Sequence, residues 1–114
     1  MLVADDNSEM RALLAEMFRP LVAECVEAEN GEVALRQCTN GSFDLALLDV
    51  RMPVLDGIEA ASRISAIDPH ILIVMVTEYD DDEYRAAAHT AGAAGYFLKE
   101  NLMQLQEFIR SRLR

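Results

Sequence analysis

Hydrophobic residues along the chain fall into five short runs, separated by longer segments in which they recur every three or four positions. Runs that are apolar throughout are typical of strands buried on both faces, and the periodic segments are typical of amphipathic helices. The runs predict strands at residues 2–4, 22–28, 45–50, 71–76 and 96–98. The other segments predict helices at residues 10–18, 30–38, 58–69, 80–92 and 102–113.

Helix signals stand at the boundaries of these segments. Asn7 or Ser8 can cap the first helix, Pro20 can end it, and Gly92 can close the fourth. Four carboxylates at residues 80–83 are expected in the first turn of the fourth helix, where the helix dipole favours them. The alternation of strands and helices predicts one α/β domain over residues 1–114. It is a single five-stranded parallel sheet with five helices on both faces, the doubly wound, flavodoxin-like (βα)5 arrangement.

Polar residues at the ends of four strands carry the candidate chemistry. The first strand ends in Asp5 and Asp6, the third in Asp49, the fourth in Thr77 and the fifth in Lys99. Ligands of such sheets bind outside the carboxyl ends of the strands. If the first and third strands are neighbours, three carboxylates converge, and like charges ~4 Å apart repel by several kcal/mol. These hard oxygen ligands indicate Mg²⁺, or Mn²⁺, with the lysine as a second positive charge.

Two positive charges around one carboxylate, a metal cation and an ammonium group, are expected where that carboxylate gains further negative charge. Acyl phosphorylation of Asp49 does this, because the cation and Lys99 can stabilise the phosphoryl oxygens and Thr77 can donate its hydroxyl to one of them. Each residue alone has an ordinary structural interpretation as a helix cap, a turn residue or a solvated lysine. Together, the four strand ends indicate a site that accepts a phosphoryl group.

The chain resembles the response-regulator receiver domains of two-component signalling over essentially its whole length. The resemblance rests on an ordered set of motifs at spacings similar to the family's: Asp5-Asp6, Leu-Leu-Asp-Val-Arg-Met-Pro around Asp49, Asp56-Gly57, Val76-Thr77, and Gly-Tyr-Phe-Leu-Lys ending at Lys99. Glu100 stands where many receivers have a proline after a cis peptide bond. An acidic residue at this position makes the chain similar to receivers that precede helix-turn-helix output domains. Whether the domain stands alone or belongs to a longer regulator stays open.

The resemblance implies a role for each residue around the acceptor. Asp49 would accept a phosphoryl group from a sensor histidine kinase or a histidine phosphotransferase. Asp5, Asp6, Asp49 and the backbone carbonyl of Arg51 would hold Mg²⁺. Lys99 would pair with the phosphoryl group. The domain would catalyse only its own phosphorylation and dephosphorylation, and would not be an enzyme acting on a separate substrate.

The resemblance also implies a conformational switch. Thr77 would move toward the phosphoryl group, and the inward or outward rotamer of Tyr96 would report that movement to the face made by the fourth helix, fifth strand and fifth helix. Without the family context, Tyr96 is an ordinary strand aromatic packed on a helix. The face would contact an output domain or a downstream protein, and a homodimer is compatible with it.

Three large side chains near the site are expected to tune its rates. Glu78 stands where the family usually has a small residue, so it places negative charge and bulk near an incoming phosphodonor. We therefore expect slow phosphorylation by small-molecule donors, unless Glu78 points to solvent. Arg51 and Tyr79 match positions that in the family control the access of water, and their size favours a longer-lived phosphoryl state.

Composition narrows the remaining functions. The formal net charge of −10 argues against binding of nucleic acid or an anionic membrane by this domain. No signal peptide or membrane span is visible, which predicts a cytoplasmic protein. The two cysteines and two histidines form no pattern of metal ligands.

Three alternative functions fit the sequence less well than the signalling switch. An aspartyl phosphatase or mutase needs a second aspartate where Arg51 stands. A flavodoxin-like carrier of FMN needs a glycine- and hydroxyl-rich phosphate loop where Asp5 and Asp6 stand. A degenerate receiver that acts only as an interaction module should lack one of the core residues, and only Glu78 supports it.

Overall fold

Five parallel strands form one sheet in a computed structural model that describes residues 1–113. The strands are β1 (Leu2–Ala4), β2 (Val26–Ala28), β3 (Leu45–Leu48), β4 (Leu72–Thr77) and β5 (Gly95–Leu98), in the order β2-β1-β3-β4-β5. The helices are α1 (Ser8–Phe18), α2 (Gly31–Asn40), α3 (Gly57–Ile67), α4 (Asp82–Thr90) and α5 (Leu102–Arg112). The predicted α/β fold is confirmed. No helix in the described part of the chain is long and apolar enough to cross a membrane.

The apolar core is divided into two clusters, one on each face of the sheet. Side chains alternate between the faces of a strand, so Val3 joins one cluster while Leu2 joins the other. Helices α1 and α5 cover the face of Val3, where Phe18 and Ile109 are fully buried. Helices α2, α3 and α4 cover the opposite face, largely through small residues such as Ala34. The sheet is therefore enclosed on both faces, and its two ends are left for function.

The second strand is shorter than predicted. The interval 22–28 was expected to be extended, but β2 covers only Val26–Ala28. The backbone N–H groups of Leu21 and Val22 both donate to the Phe18 carbonyl, so the chain is still turning out of α1 there. The strand then pairs with β1 from Val26, opposite Leu2, onward. Because β1 is only three residues long, it can pair with no more than three residues of β2.

The start of the fourth helix also differs from the prediction. Only Asp82 and Glu83 lie in the first turn of α4, and Asp81 occupies the N-cap position without a side-chain cap hydrogen bond. Asp80 precedes the helix and accepts from Arg85 at 2.7 Å. The expectation of four carboxylates in the first turn was therefore wrong, because one of them is used in an ion pair instead.

Gly31 marks a close approach between the first turn of α2 and the loop that follows β3. A Cβ atom at this position would lie 2.0 Å from the carbonyl oxygen of Leu55. Backbone atoms cannot yield as a flexible side chain can, so any larger residue must displace the loop. That loop leads from β3 to α3 and contains Val54, whose φ of 71° is in the left-handed region.

Gly31→Ala is expected to lower the free energy of unfolding by about 1–3 kcal/mol, as overpacking does in well-packed interiors. Helix propensity alone predicts the opposite sign, since alanine is favoured over glycine by ~1 kcal/mol within helices. Urea unfolding measures the difference. The matched control is Gly41→Ala, where the nearest atom to an added Cβ is 3.4 Å away. A Gly31→Ala protein as stable as the Gly41→Ala protein would contradict this packing.

Candidate functional site

The predicted site residues meet at the carboxyl edge of the sheet because strand pairing continues just past the ends of the strands. The backbone N–H groups of Asp5, Asp49 and Lys99 donate to carbonyls of the adjacent strands at 3.1, 3.0 and 2.8 Å. These bonds fix the backbone of each residue although none belongs to a strand. The strand order places β1 beside β3, as the convergence of the three aspartates required.

Lys99 forms the central contact of the site. Its Nζ atom lies 2.8 Å from Asp5 Oδ2 and 3.0 Å from Asp49 Oδ2. Asp5 is 1% exposed and Asp49 is 4% exposed. Two carboxylates in so little water repel each other, and the shared ammonium group offsets that repulsion.

The loop after β1 holds Asp5 through further bonds. Asp5 Oδ1 accepts from the backbone N–H of Asn7 at 2.9 Å, and its carbonyl accepts from the Arg11 guanidinium at 2.7 Å. The Asn7 side chain in turn caps α1 by accepting from the backbone N–H groups of Glu9 and Met10. Arg11 also pairs with Glu27 at 3.0 Å, so it joins α1 to β2 beside the site.

The three aspartates fit the ligand set of a divalent cation. One carboxylate oxygen from each of Asp5, Asp6 and Asp49 lies within 4.8 Å of the others. Opposite oxygen ligands of an octahedral Mg²⁺ are about 4.2 Å apart, so small side-chain rotations suffice to hold the ion. Asp49 Oδ1 is buried and has no hydrogen-bond partner among the described residues. A buried carboxylate oxygen without a partner is costly, and a cation would satisfy it.

Burial and ion pairing act in opposite directions on the two central groups. Burial raises the pKa of the Asp49 carboxyl. The hydrogen bond and the charge of Lys99 lower it again, but by less than burial raises it. Burial also opposes the charged form of Lys99, but its bonds to Asp5 and Asp49 outweigh burial and raise the pKa of the ammonium group. The lysine therefore stays protonated, and the carboxylate that it faces is destabilised by its surroundings.

A second group of contacts links Thr77 to Tyr96. Thr77 is the last residue of β4 and is fully buried. The backbone N–H of Tyr79 donates to Thr77 Oγ1 at 3.4 Å, and the Tyr79 carbonyl accepts from the Tyr96 hydroxyl at 2.5 Å. The half-buried Tyr96 is thus turned toward the loop after β4, and Tyr79 stands between the two predicted switch residues.

The predicted rate-tuning residues lie around this loop. The Arg51 guanidinium stacks 5.3 Å from the centre of the Tyr79 ring and donates to the Tyr84 hydroxyl at 3.4 Å. Tyr79 and Tyr84 pack edge to face, with their centres 6.0 Å apart. Glu78 is exposed and forms no hydrogen bond or ion pair with any of residues 1–113. Its effect on phosphodonors stays a prediction.

Three contributing residues were missed by sequence reasoning. Arg11 holds the Asp5 backbone, Tyr84 contacts Arg51, and Arg85 pairs with Asp80 and stacks on the Tyr96 ring at 4.7 Å. None of these contacts follows the three- or four-residue spacing of neighbours on one helix. They depend on how α1 and α4 are placed against the sheet.

Known proteins are similar to this chain in sequence. A family profile described as "Response regulator receiver domain" matches residues 1–110. "Chemotaxis protein CheY" of Halobacterium salinarum is 39% identical over 98 residues, covering 86% of this chain and 82% of that protein. An "Uncharacterized response regulatory protein" of Vibrio cholerae is 39% identical over 101 residues, but the chain spans only 38% of its length.

A solved structure gives the same picture. The chain is similar to the response regulator protein TrrA from Thermotoga maritima, crystallised in complex with Mg²⁺-BeF, with 34% identity and a TM-score of 0.86. The similarity covers 99% of this chain and 96% of that one.

Asp49→Asn is expected to stabilise the metal-free protein at pH 7 by about 1 kcal/mol, since it removes a desolvated charge but keeps a group that can accept from Lys99. Because the Asp49 pKa is raised, the folded parent binds a proton more tightly than the unfolded chain. Its ionisation therefore lowers stability as pH rises from the ordinary aspartate value, ~3.9, through the raised value. The advantage of the variant should shrink toward acid pH. Urea unfolding between pH 4 and 8 tests this.

The control is Asp44→Asn, which removes an exposed charge just before β3. It is expected to change stability by less than about 0.5 kcal/mol, as surface substitutions do. An Asp49→Asn protein less stable than the parent at pH 7 would show that Lys99 compensates the buried charge fully.

Proposed function

The chain belongs to the response regulator receiver domains, which act in two-component phosphorelay signalling, and on that premise we propose that Asp49 is its phosphoacceptor. The observation that carries the assignment is the state of the Asp49 carboxylate. One oxygen is held by Lys99 at 3.0 Å, and the other is buried with no hydrogen-bond partner among residues 1–113. Both carboxylate oxygens of Asp5 already have a partner, Oδ2 in Lys99 and Oδ1 in the backbone N–H of Asn7, and Asp6 is exposed. Asp49 is thus the carboxylate best placed to form a new bond.

The proposed reaction transfers a phosphoryl group from a phosphohistidine of a sensor kinase or a phosphotransferase. A bond forms between an Asp49 oxygen and phosphorus while the phosphorus–nitrogen bond breaks, and the imidazole leaves with the electron pair and takes up a proton. Lys99 pairs with the added negative charge. Thr77 donates its hydroxyl to a phosphoryl oxygen. Positioning and electrostatic stabilisation supply most of the catalysis of phosphoryl transfer, and both are built into this edge of the sheet.

Mg²⁺ is the proposed cofactor, with Mn²⁺ as an alternative of the same ligand preference. Asp5, Asp6, Asp49 and the Arg51 carbonyl would hold it, and it would neutralise charge between the acceptor and the phosphoryl group. The oxygen cluster, its unpartnered Asp49 atom and the Mg²⁺ complex of the similar TrrA support this choice.

The domain is a signalling module, and we propose that it catalyses only reactions of its own Asp49. Its output would pass through Tyr96 to the face of α4, β5 and α5, which would contact an output domain, a downstream protein or a second copy. The matched relatives include one of similar length and one more than twice as long. Output through a separate protein and output through a further domain of the same protein are therefore both consistent with them.

Incubation with phosphoramidate and Mg²⁺ is expected to add one phosphoryl group to the parent, measured by intact mass. The same treatment should add none to Asp49→Asn and none to the parent in the presence of a chelator. Asp44→Asn is the matched control and should be modified like the parent. Modification of Asp49→Asn would place the acceptor elsewhere, and no modification of any protein would favour an interaction module.

Glu78→Ala is expected to raise the rate of modification by phosphoramidate about twofold to threefold, the size of effect expected when one exposed carboxylate no longer repels an anion across solvent. The gain should shrink at high salt, because exposed charges are screened. Glu107→Ala on α5 makes the same charge change away from the site and should leave the rate unaltered. Equal rates for the two variants would mean that Glu78 has no influence on the donor.

A further inference from the structure

Arg85 on α4 packs over the face of the Tyr96 ring, whose hydroxyl is bonded elsewhere. The guanidinium carbon lies 4.7 Å from the centre of the ring, within the range of a cation–π contact. At its other end, Tyr96 donates its hydroxyl to the Tyr79 carbonyl at 2.5 Å. The ring is therefore fixed by one contact on its face and one at its tip.

The guanidinium is itself oriented by the loop at residues 78–81. Its Nη2 and Nε atoms lie 2.7 and 3.1 Å from Asp80 Oδ1. Two donors on one acceptor fix the plane of the group more firmly than a single bond would. Asp80, Arg85 and Tyr96 thus join the loop, α4 and β5.

We propose that Arg85 is a positioning residue that holds Tyr96 in its inward orientation, with its hydroxyl bonded to the Tyr79 carbonyl, before any phosphoryl transfer. The proposal rests on the function proposed above and adds how its switch is set. The unphosphorylated domain is thereby shifted toward the conformation that Asp49 phosphorylation favours. The sequence offers no reason to expect this, since arginine in the first half of an exposed helix is ordinary.

The effect reaches the phosphorylation site through one residue. Tyr79 accepts from Tyr96 at its carbonyl and donates from its N–H to Thr77 Oγ1. Loss of the contact on the Tyr96 ring must therefore alter the support of the loop that borders Thr77. Coupling between two sites is reciprocal, so a residue that favours inward Tyr96 also favours occupation of the acceptor site by the same factor.

The first measurement reports the environment of the Tyr96 ring in protein that has not been exposed to a phosphodonor. Fluorine NMR of protein labelled with 3-fluorotyrosine gives one signal for each of the three tyrosines, assigned with Tyr79→Phe and Tyr84→Phe. Arg85→Ala should shift and broaden the Tyr96 signal, and Arg85→Lys should restore part of the parent signal. The matched control is Arg63→Ala, which loses the same charge at a more exposed position, together with an ion pair to Glu59 on α3. A Tyr96 signal that is the same in Arg85→Ala and Arg63→Ala overturns the proposal.

The second measurement is the affinity for beryllium fluoride with Mg²⁺, followed by the same signals. Arg85→Ala should bind about fivefold more weakly than the parent, and Arg63→Ala should bind like the parent. Equal affinities, with the Tyr96 signal displaced, overturn the coupling and with it the proposal. If the parent itself binds no beryllium fluoride and takes no phosphoryl group, the proposed function fails. The donor-free Tyr96 signal still decides the role of Arg85 in that case.

Discussion

The ammonium group of Lys99 between Asp5 and Asp49 is the contact on which the rest of the site depends. Parallel strand pairing brings the two carboxylates to one buried edge, where their repulsion is of the order of several kcal/mol at a separation near 4 Å. One cation at 2.8 and 3.0 Å makes that arrangement tolerable. It leaves one Asp49 oxygen with no hydrogen-bond partner in the described part of the chain, so the site is held together and yet has one unsatisfied acceptor.

The loop after β3 is shaped by the same requirement. Added Cβ atoms would lie 1.7 Å from the Asp49 carbonyl oxygen at Gly57 and 2.0 Å from the Leu55 carbonyl oxygen at Gly31. The two ends of the loop, at Asp49 and Gly57, are therefore in direct backbone contact, and α2 approaches the loop at Leu55; both contacts require glycine. Within the loop, Val54 adopts a φ of 71°, a conformation that is costly for a β-branched residue. Strain of this kind is kept where the surroundings over-determine the backbone, here beside the proposed acceptor.

The sequence predicted the sheet and the strand-end residues well, because both depend on local signals. Apolar runs mark buried strands, and a parallel sheet brings the residues after them to one edge, so Asp5, Asp49 and Lys99 could be placed together. The error in β2 arose because strand length depends on the partner strand, and β1 is short. The contacts of Arg11 and Arg85 could not be predicted, because they follow from the placement of helices that no spacing encodes.

Tyr79 connects the acceptor edge with the surface through three different groups. Its N–H donates to Thr77, its carbonyl accepts from Tyr96, and its ring lies beneath Arg51. A movement at Thr77 and a rotation of Tyr96 are therefore not independent, since both change the bonds of one peptide segment. Because such coupling is reciprocal, a partner that binds the face around Tyr96 would shift the phosphorylation equilibrium of Asp49 by the same factor by which phosphorylation shifts the affinity for that partner. Such a partner and the phosphoryl group would thus bias one conformational equilibrium, and neither would be the cause of the other.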